Sequence, residues 1–286
     1  MYKNYQVLIV ALSITLLSCN EKGAVINTGD LYVINDTTYT TTAPTADDTK
    51  VLVEEYTGVT CVNCPKGTAM LTTLSDKYPD RVVIAGMHEG KQSEPIPDVS
   101  KYDFRLPKVL DLLNSYFSEK PNKPMAAVNR NKFNDLYFID WTTWTGRIED
   151  ILKQKSKINL GATILFDTSS REATIRVKVV YAQKVETKQN ISLYITESKL
   201  IDAQENETTI IKDYEHNHVL RDMITPISGI TILPDNPIKE PGRVYERTFK
   251  YIINKEWEYK NCKIIVFVHN DGTADKEVLQ CLEKGM

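Results

Sequence analysis

Glycine and proline are sparse in this 286-residue chain, at 12 each. Neither is abundant enough for a collagen-like or low-complexity protein. Positive charge is not in excess: 35 Lys and Arg stand against 38 Asp and Glu, for a net charge of −3. That balance argues against nucleic acid as a partner. Five cysteines are too few for a disulfide-scaffold miniprotein. No phosphate-cradling glycine loop, Ser/His/Asp nucleophile motif or paired-carboxylate signature stands out, and no cofactor is expected. The material present is ordinary for a globular chain: 42% hydrophobic and 26% charged residues, enough for one large or two ordinary domains.

The N-terminus carries an apolar run, Val7 to Leu17, preceded by Lys3 and followed by Ser18 and Cys19. Eleven residues suit a signal-peptide core, whereas a membrane span needs roughly 20. Leu16-Leu17-Ser18-Cys19 resembles the bacterial lipobox, in which the cysteine is acylated and becomes the new N-terminus. An ordinary secretory signal is the weaker alternative. The expectation is a signal peptide at 1–18 and lipid on Cys19. Lipid would anchor the chain to a membrane without a spanning helix and place it in the cell envelope, where disulfides persist. A Thr-, Asn- and Asp-rich tether follows at 19–49, in which Leu31 to Ile34 could add an edge strand. Glu21 bears weakly on whether the chain faces the periplasm or the cell surface.

From Val51 the pattern changes. VLVEEY (51–56) and RVVIAGM (81–87) read as buried strands. Between them Met70, Leu71, Leu74 and Tyr78 have helical spacing, from about Cys64 onward. This predicts a parallel strand–helix–strand unit. A second helix is expected from Ser100 to Phe117, interrupted by Pro107. Short strands follow at MAAVNR (125–130) and Leu136 to Ile139. A closing helix is marked by Trp141, Trp144, Ile148, Ile151 and Leu152. After Lys157 the pattern turns to strands: Ile158–Phe166, Ala173–Tyr181, Ile191–Thr196, Val244–Ile253, Lys263–His269 and Glu277–Leu282. Strands of this number over about 130 residues suggest an immunoglobulin-like sandwich. The expected fold is therefore α/β followed by all-β, with domains at 50–157 and 158–286.

Cys61-Val62-Asn63-Cys64 lies after a strand and at the start of a helix. In that setting a CxxC spacing points to thiol chemistry. Unpaired N–H groups at a helix start stabilise a thiolate on the first cysteine, and the second can resolve a mixed disulfide. A locked structural disulfide is the competing reading. Zinc is disfavoured, because no second cysteine pair completes four ligands. Cys262 and Cys281 either bridge the last two strands or stay as buried thiols. His216-Asn217-His218 would put two imidazoles on one face of a strand, a weak metal signal. His88 could approach the CxxC loop.

VLVEEYTGVTCVNCPKG (51–67), PMAAVNR (124–130) and YEHNHVLRD (214–222) together resemble the outer-membrane-protein-28-related lipoproteins of Gram-negative bacteria. The resemblance implies a thioredoxin-like domain followed by a β-sandwich on a lipid-anchored N-terminus. By that pattern Cys61 matches the nucleophile and Cys64 the resolving cysteine. Glu55, six positions before Cys61, matches the buried acid that moves a proton with Cys64, although Glu54 competes for the role. Pro124 matches the cis-proline that presents backbone to an extended substrate, with Pro121 as competitor. Thr60 and Val62-Asn63 depart from the thioredoxin pattern, so direction and substrate do not carry over. Two functions follow: thiol–disulfide exchange on exported proteins, or a surface lipoprotein that uses the same fold as a binding scaffold.

Overall fold

The computed structural model describes residues 36–207, 209–273 and 275–286. The expected signal peptide, Cys19 and the Leu31–Ile34 strand lie outside the described residues.

Strands β2 (Val51–Thr57) and β3 (Val82–His88) are buried at every position. Strands covered on both faces are apolar along their length; β3 keeps that pattern through Val82–Met87, whereas β2 breaks it at Glu54 and Glu55, both buried. Helix α1 (Cys64–Lys77) connects them, and they pair in parallel from Val51–Val82 to Thr57–His88. β4 (Met125–Val128) and β5 (Phe138–Asp140) extend the sheet antiparallel on the far side of β2. Helix α3 (Trp144–Leu152) buries Trp144, Ile148, Ile151 and Leu152 beside Leu71 and Leu74 of α1. That spacing places all four on one helical face. Helix α2 (Pro107–Asp111), continued by a π-helical turn at Leu112–Phe117, joins a separate core with Val109, Leu113 and Phe117.

The second helix is shorter than expected, because residues 100–106 are not helical. Asp202 accepts the backbone N–H groups of Lys101 and Tyr102 at 2.8 and 2.9 Å. Pro107 then begins the helix, where its missing N–H costs nothing.

β6 (Ile158–Asp167), β7 (Glu172–Tyr181), β13 (Arg243–Ile252) and β1 (Asp36–Thr40) form a four-stranded antiparallel sheet in the order β1-β13-β7-β6. β1 lies within the segment expected as tether. Its Thr37, Thr38, Tyr39 and Thr40 suit a strand, and Asp36 through Thr40 pair with Arg247 through Arg243. Inward residues Ile175, Val177 and Val179 share one apolar cluster with Ile191, Leu193 and Ile195 of β8 (Gln189–Glu197) and Val266 of β14 (Cys262–Asn270). Two sheets therefore face each other across this layer.

The second of these sheets continues well beyond the cluster. Its order is β15 (Val278–Gly285), β14, β8, β11 (Val219–Met223), β3, β2, β4, β5, and β12 (Ile230–Thr231) also pairs with β8. Val219 meets Gly86 in parallel, and the Gly86 N–H donates to His218 O at 2.7 Å. Strands on either side of residue 157 thus belong to one sheet, so the expected 157/158 division falls inside a shared framework.

β9 (Leu200–Asn206) and β10 (Thr209–His216) form a hairpin bonded, among the described residues, to no other strand. Its register shifts between Ile211 and Tyr214, leaving a bulge opposite Ala203. Among the described residues no helix is long and apolar enough to cross a membrane.

Candidate functional site

Cys61 and Cys64 are joined in a disulfide at the end of the β2–α1 loop. Cys61 lies in the turn before the helix and Cys64 is the first helical residue. The Cys64 N–H donates to Cys61 O, and the Cys61 N–H to Gly58 O, both at 3.1 Å. Gly58 is required by a close approach: a Cβ there would lie 2.2 Å from Gln92 O. Gln92 O in turn accepts the Thr60 N–H at 3.0 Å. Cys61 is 2% exposed and Cys64 1%, while Val62 between them is 37% exposed.

The cover comes from two places. One is the 3-10 turn at Lys91–Ser93. The other, with no signal in the sequence, is β9. Gln204 Nε2 donates to Gly58 O and Cys61 O, both at 3.2 Å, and the Glu205 N–H donates to Val59 O at 2.7 Å. Val59 packs with Leu200, Ala203, Val219, Ile96 and Phe104.

The pleat puts the two adjacent acids in different surroundings. Glu54 takes two bonds from Arg130, Nε at 2.8 Å and Nη2 at 2.7 Å, and one from the Tyr194 hydroxyl at 3.1 Å. Phe267 and Tyr116 lie against the Arg130 guanidinium, with ring centroids at 4.9 and 5.2 Å. These groups come from β2, the end of β4, β8 and β14, so the cluster joins the α/β and all-β regions of the fold. Glu55 points the other way, as alternation along a strand requires. It shares a cavity of about 20 Å³, room for a single water, with Cys64, Thr68, His88, Tyr214 and His216. The Thr68 hydroxyl donates to Glu55 Oε1 at 2.8 Å. Burial raises the Glu55 pKa to about 7, and the Thr68 bond opposes the rise.

Pro124 carries a cis bond to Lys123, and no cis bond falls at Pro121. Pro124 packs against Gly67, one turn into α1 from Cys64, where an added Cβ would meet Pro124 Cβ at 3.3 Å. Lys123 Nζ reaches Glu89 O and Oε1, both at 2.6 Å.

His88 lies in the cavity, as its place at the end of β3 suggested. Burial and the neighbouring His216 lower its pKa to about 3. The expected His216–His218 pair does not form on one face. His216 closes β10 and its Nε2 lies 3.2 Å from Ala203 O. His218 has left the strand and takes φ +56°. Among the described residues no group of three or more His, Cys, Asp or Glu side chains is placed to hold a metal.

The alternative of a Cys262–Cys281 bridge is also corrected, because both are free and buried. Cys281 stands opposite Phe267, five residues along β14 from Cys262, or about 17 Å at strand rise. Burial pushes the Cys262 thiol up to about 12 and raises that of Cys281 further.

Fold and site define a β-rich α/β protein with a covered cysteine pair at a strand–helix junction. The chain belongs to the family described as outer membrane protein Omp28, whose pattern matches residues 113–285. The family name points to the outer membrane. The match begins after Glu55, Cys61 and Cys64 and takes in the surrounding Pro124, Gln204, Tyr214 and His216 of the site. No curated protein matches the chain. Among solved structures, HBP35 of Porphyromonas gingivalis is similar, with a TM-score of 0.65 and 15% identity over 84% of this chain and 76% of that one. A structural-genomics target from Agrobacterium tumefaciens gives a TM-score of 0.49 at 11% identity, covering 83% of this chain and 94% of the other. At such identities the HBP35 likeness speaks to fold alone.

Proposed function

We propose that this protein is a lipid-anchored envelope protein whose Cys61–Cys64 pair exchanges disulfides with other exported proteins. Cys19 is the lipid attachment point in this reading. The strand order β3-β2-β4-β5, with α1 and α3 against the same core, supports a thioredoxin-like region. The facing sheets around Val177 and Leu193 support an immunoglobulin-like sandwich grafted onto the same framework.

The observation that carries the exchange reading is Glu55. A disulfide that serves only as a staple has no use for a neighbouring buried acid. Burying such an acid without a cation costs stability. Here the acid is held to about 7 in a cavity shared with Cys64. In the reducing direction, the Cys61 thiolate bonds to one sulfur of a partner disulfide. That disulfide breaks, and its other sulfur leaves as thiolate. Glu55 takes the Cys64 proton, and Cys64 attacks Cys61 to release the second partner sulfur. The proton passes to a departing thiolate. The partner gains two electrons and the pair ends as the disulfide seen here. A dithiol reductant of the envelope resets it.

The second reading, a binding scaffold with a locked disulfide, is favoured by the near-complete burial of both sulfurs. The reduction potential separates the two. Cys19→Ser chain is equilibrated in graded thiol buffers, quenched, unfolded and its thiols counted, with Cys262 and Cys281 as the constant baseline. A midpoint above about −230 mV supports exchange, and one below about −300 mV supports the scaffold.

A further inference from the structure

The hairpin over the disulfide is built in two parts. Its stem, Leu200–Asp202 paired with Tyr214–His216, is tied down by Asp202, whose carboxylate takes the Lys101 and Tyr102 amides. Its distal blade, Gln204–Asn206 paired with Thr209–Ile211, is joined to the stem through the bulge at Lys212–Asp213. Bulges interrupt the ladder and bend the strand that carries them.

The blade's attachments to the loop and helix beneath are polar. They are the two Gln204 Nε2 bonds, the Glu205 N–H to Val59 O, and an exposed ion pair of Lys66 Nζ with Glu207 Oε1 at 2.6 Å. No residue of the blade belongs to an apolar cluster, whereas Leu200 and Ala203 of the neighbouring strand segment do. The part bonded to the carbonyls of the cysteine loop is thus the part with no apolar anchor. Lifting it exposes the carbonyls of Gly58, Val59 and Cys61, three acceptors that the N–H groups of an extended polypeptide match.

We propose that the distal blade of the β9–β10 hairpin is a cap hinged at the Lys212–Asp213 bulge, and that a thiol partner reaches Cys61–Cys64 only when it lifts. This rests on the exchange reading above and explains how a buried pair can serve it. The cap sets the rate of access, while the potential measures the pair itself.

The test uses the Cys19→Ser chain and the rate at which excess dithiothreitol reduces its disulfide under native conditions. Gln204→Ala combined with Glu207→Ala removes the side-chain ties and leaves Glu55, Cys61, Cys64 and Pro124 unsubstituted. The reduction rate is expected to rise at least tenfold with the midpoint potential unchanged. A second arm closes the cap. Carbodiimide coupling of the Lys66–Glu207 pair to an amide should slow reduction at least tenfold, with identically treated Glu207→Ala protein as control. Equal rates in the wild type and the double variant, or in the free and cross-linked proteins, overturn the cap. So does a set in which no native member is reduced while the urea-unfolded chain is. The exchange reading fails separately, on a midpoint that marks a locked disulfide.

Discussion

Replacing Glu55 by Gln should make the protein more stable by about 3 kcal/mol at pH 8 and by under about 1 kcal/mol at pH 5. In the unfolded chain the carboxyl titrates near its ordinary 4.5, and in the fold burial moves it to about 7. Between these values the folded chain holds a proton that the unfolded chain has released. Stability therefore falls as pH rises through that window and levels off above it. A displacement of this size corresponds to about 3 kcal/mol. Gln is neutral throughout and keeps an oxygen for the Thr68 hydroxyl, so the term vanishes.

The assay is urea unfolding of the oxidised Cys19→Ser chain, with and without Glu55→Gln, at pH 5, 6, 7 and 8. The difference between the two proteins should grow from under about 1 kcal/mol at pH 5 to about 3 kcal/mol at pH 8. With a urea slope of roughly 3 kcal/mol per molar, that separates the midpoints by about 1 M at pH 8. Groups common to both chains cancel in the difference. A gap that is the same at pH 5 and pH 8 would refute the burial argument, and with it the case for Glu55 as a proton carrier.

Arg130→Met leaves the Glu54 carboxylate buried without its cation and should cost about 3–5 kcal/mol; Glu54→Leu added to it should recover most of that loss in the same urea assay. Loss of His88 should act in acid: its folded pKa of about 3 lies below the ordinary 6.5, so stability is lost as pH falls through that interval, by up to about 5 kcal/mol. His88→Asn should accordingly lower the midpoint of acid unfolding, and an unchanged midpoint would count against a buried neutral imidazole. Cys262 and Cys281 should resist iodoacetamide in the native chain and give two labels per chain once unfolded without reductant; zero labels after unfolding would mean that they are bridged.

The elements around the cysteine pair were legible because their signals are local. β2 and β3 open on apolar runs, VLV and VVIAGM, α1 has helical spacing behind Pro65, and β7 alternates cleanly through TIRVKVV. The stretch from Leu200 to Thr231 was not legible. LIDAQEN and TIIKDYEH mix charge into every turn of the pattern, because one strand faces a loop and the other faces solvent. Gln204 carries no sequence signal at all, since its role depends on carbonyls over 140 residues away in the chain. The non-helical start at 100–106 depends likewise on Asp202, a hundred residues on. Nothing local announces that Val219 will pair with Gly86 and carry one sheet through both regions of the fold. Periodicity marks what an element buries, and these contacts were decided by what it meets.

Glu54 and Glu55 show how far one strand can separate two copies of the same chemistry. Both are buried on β2, and the pleat sends them to opposite faces. Glu54 meets Arg130, with Tyr194 completing its bonds, and becomes part of the clamp that joins the two regions. Glu55 meets a hydroxyl, a cavity and a disulfide, with no cation in bonding reach among the contacts it makes. A fold that needed only packing at position 55 would be more stable with an apolar residue there. An acid on the cysteine side, beside a clamp that already satisfies the other, is the feature on which the exchange proposal rests. If the pair exchanges disulfides as proposed, the hairpin adds a further condition: access to Cys61 waits on the release of Gln204 and Glu205, and so on groups from the all-β region rather than from the strand–helix unit that holds the cysteines.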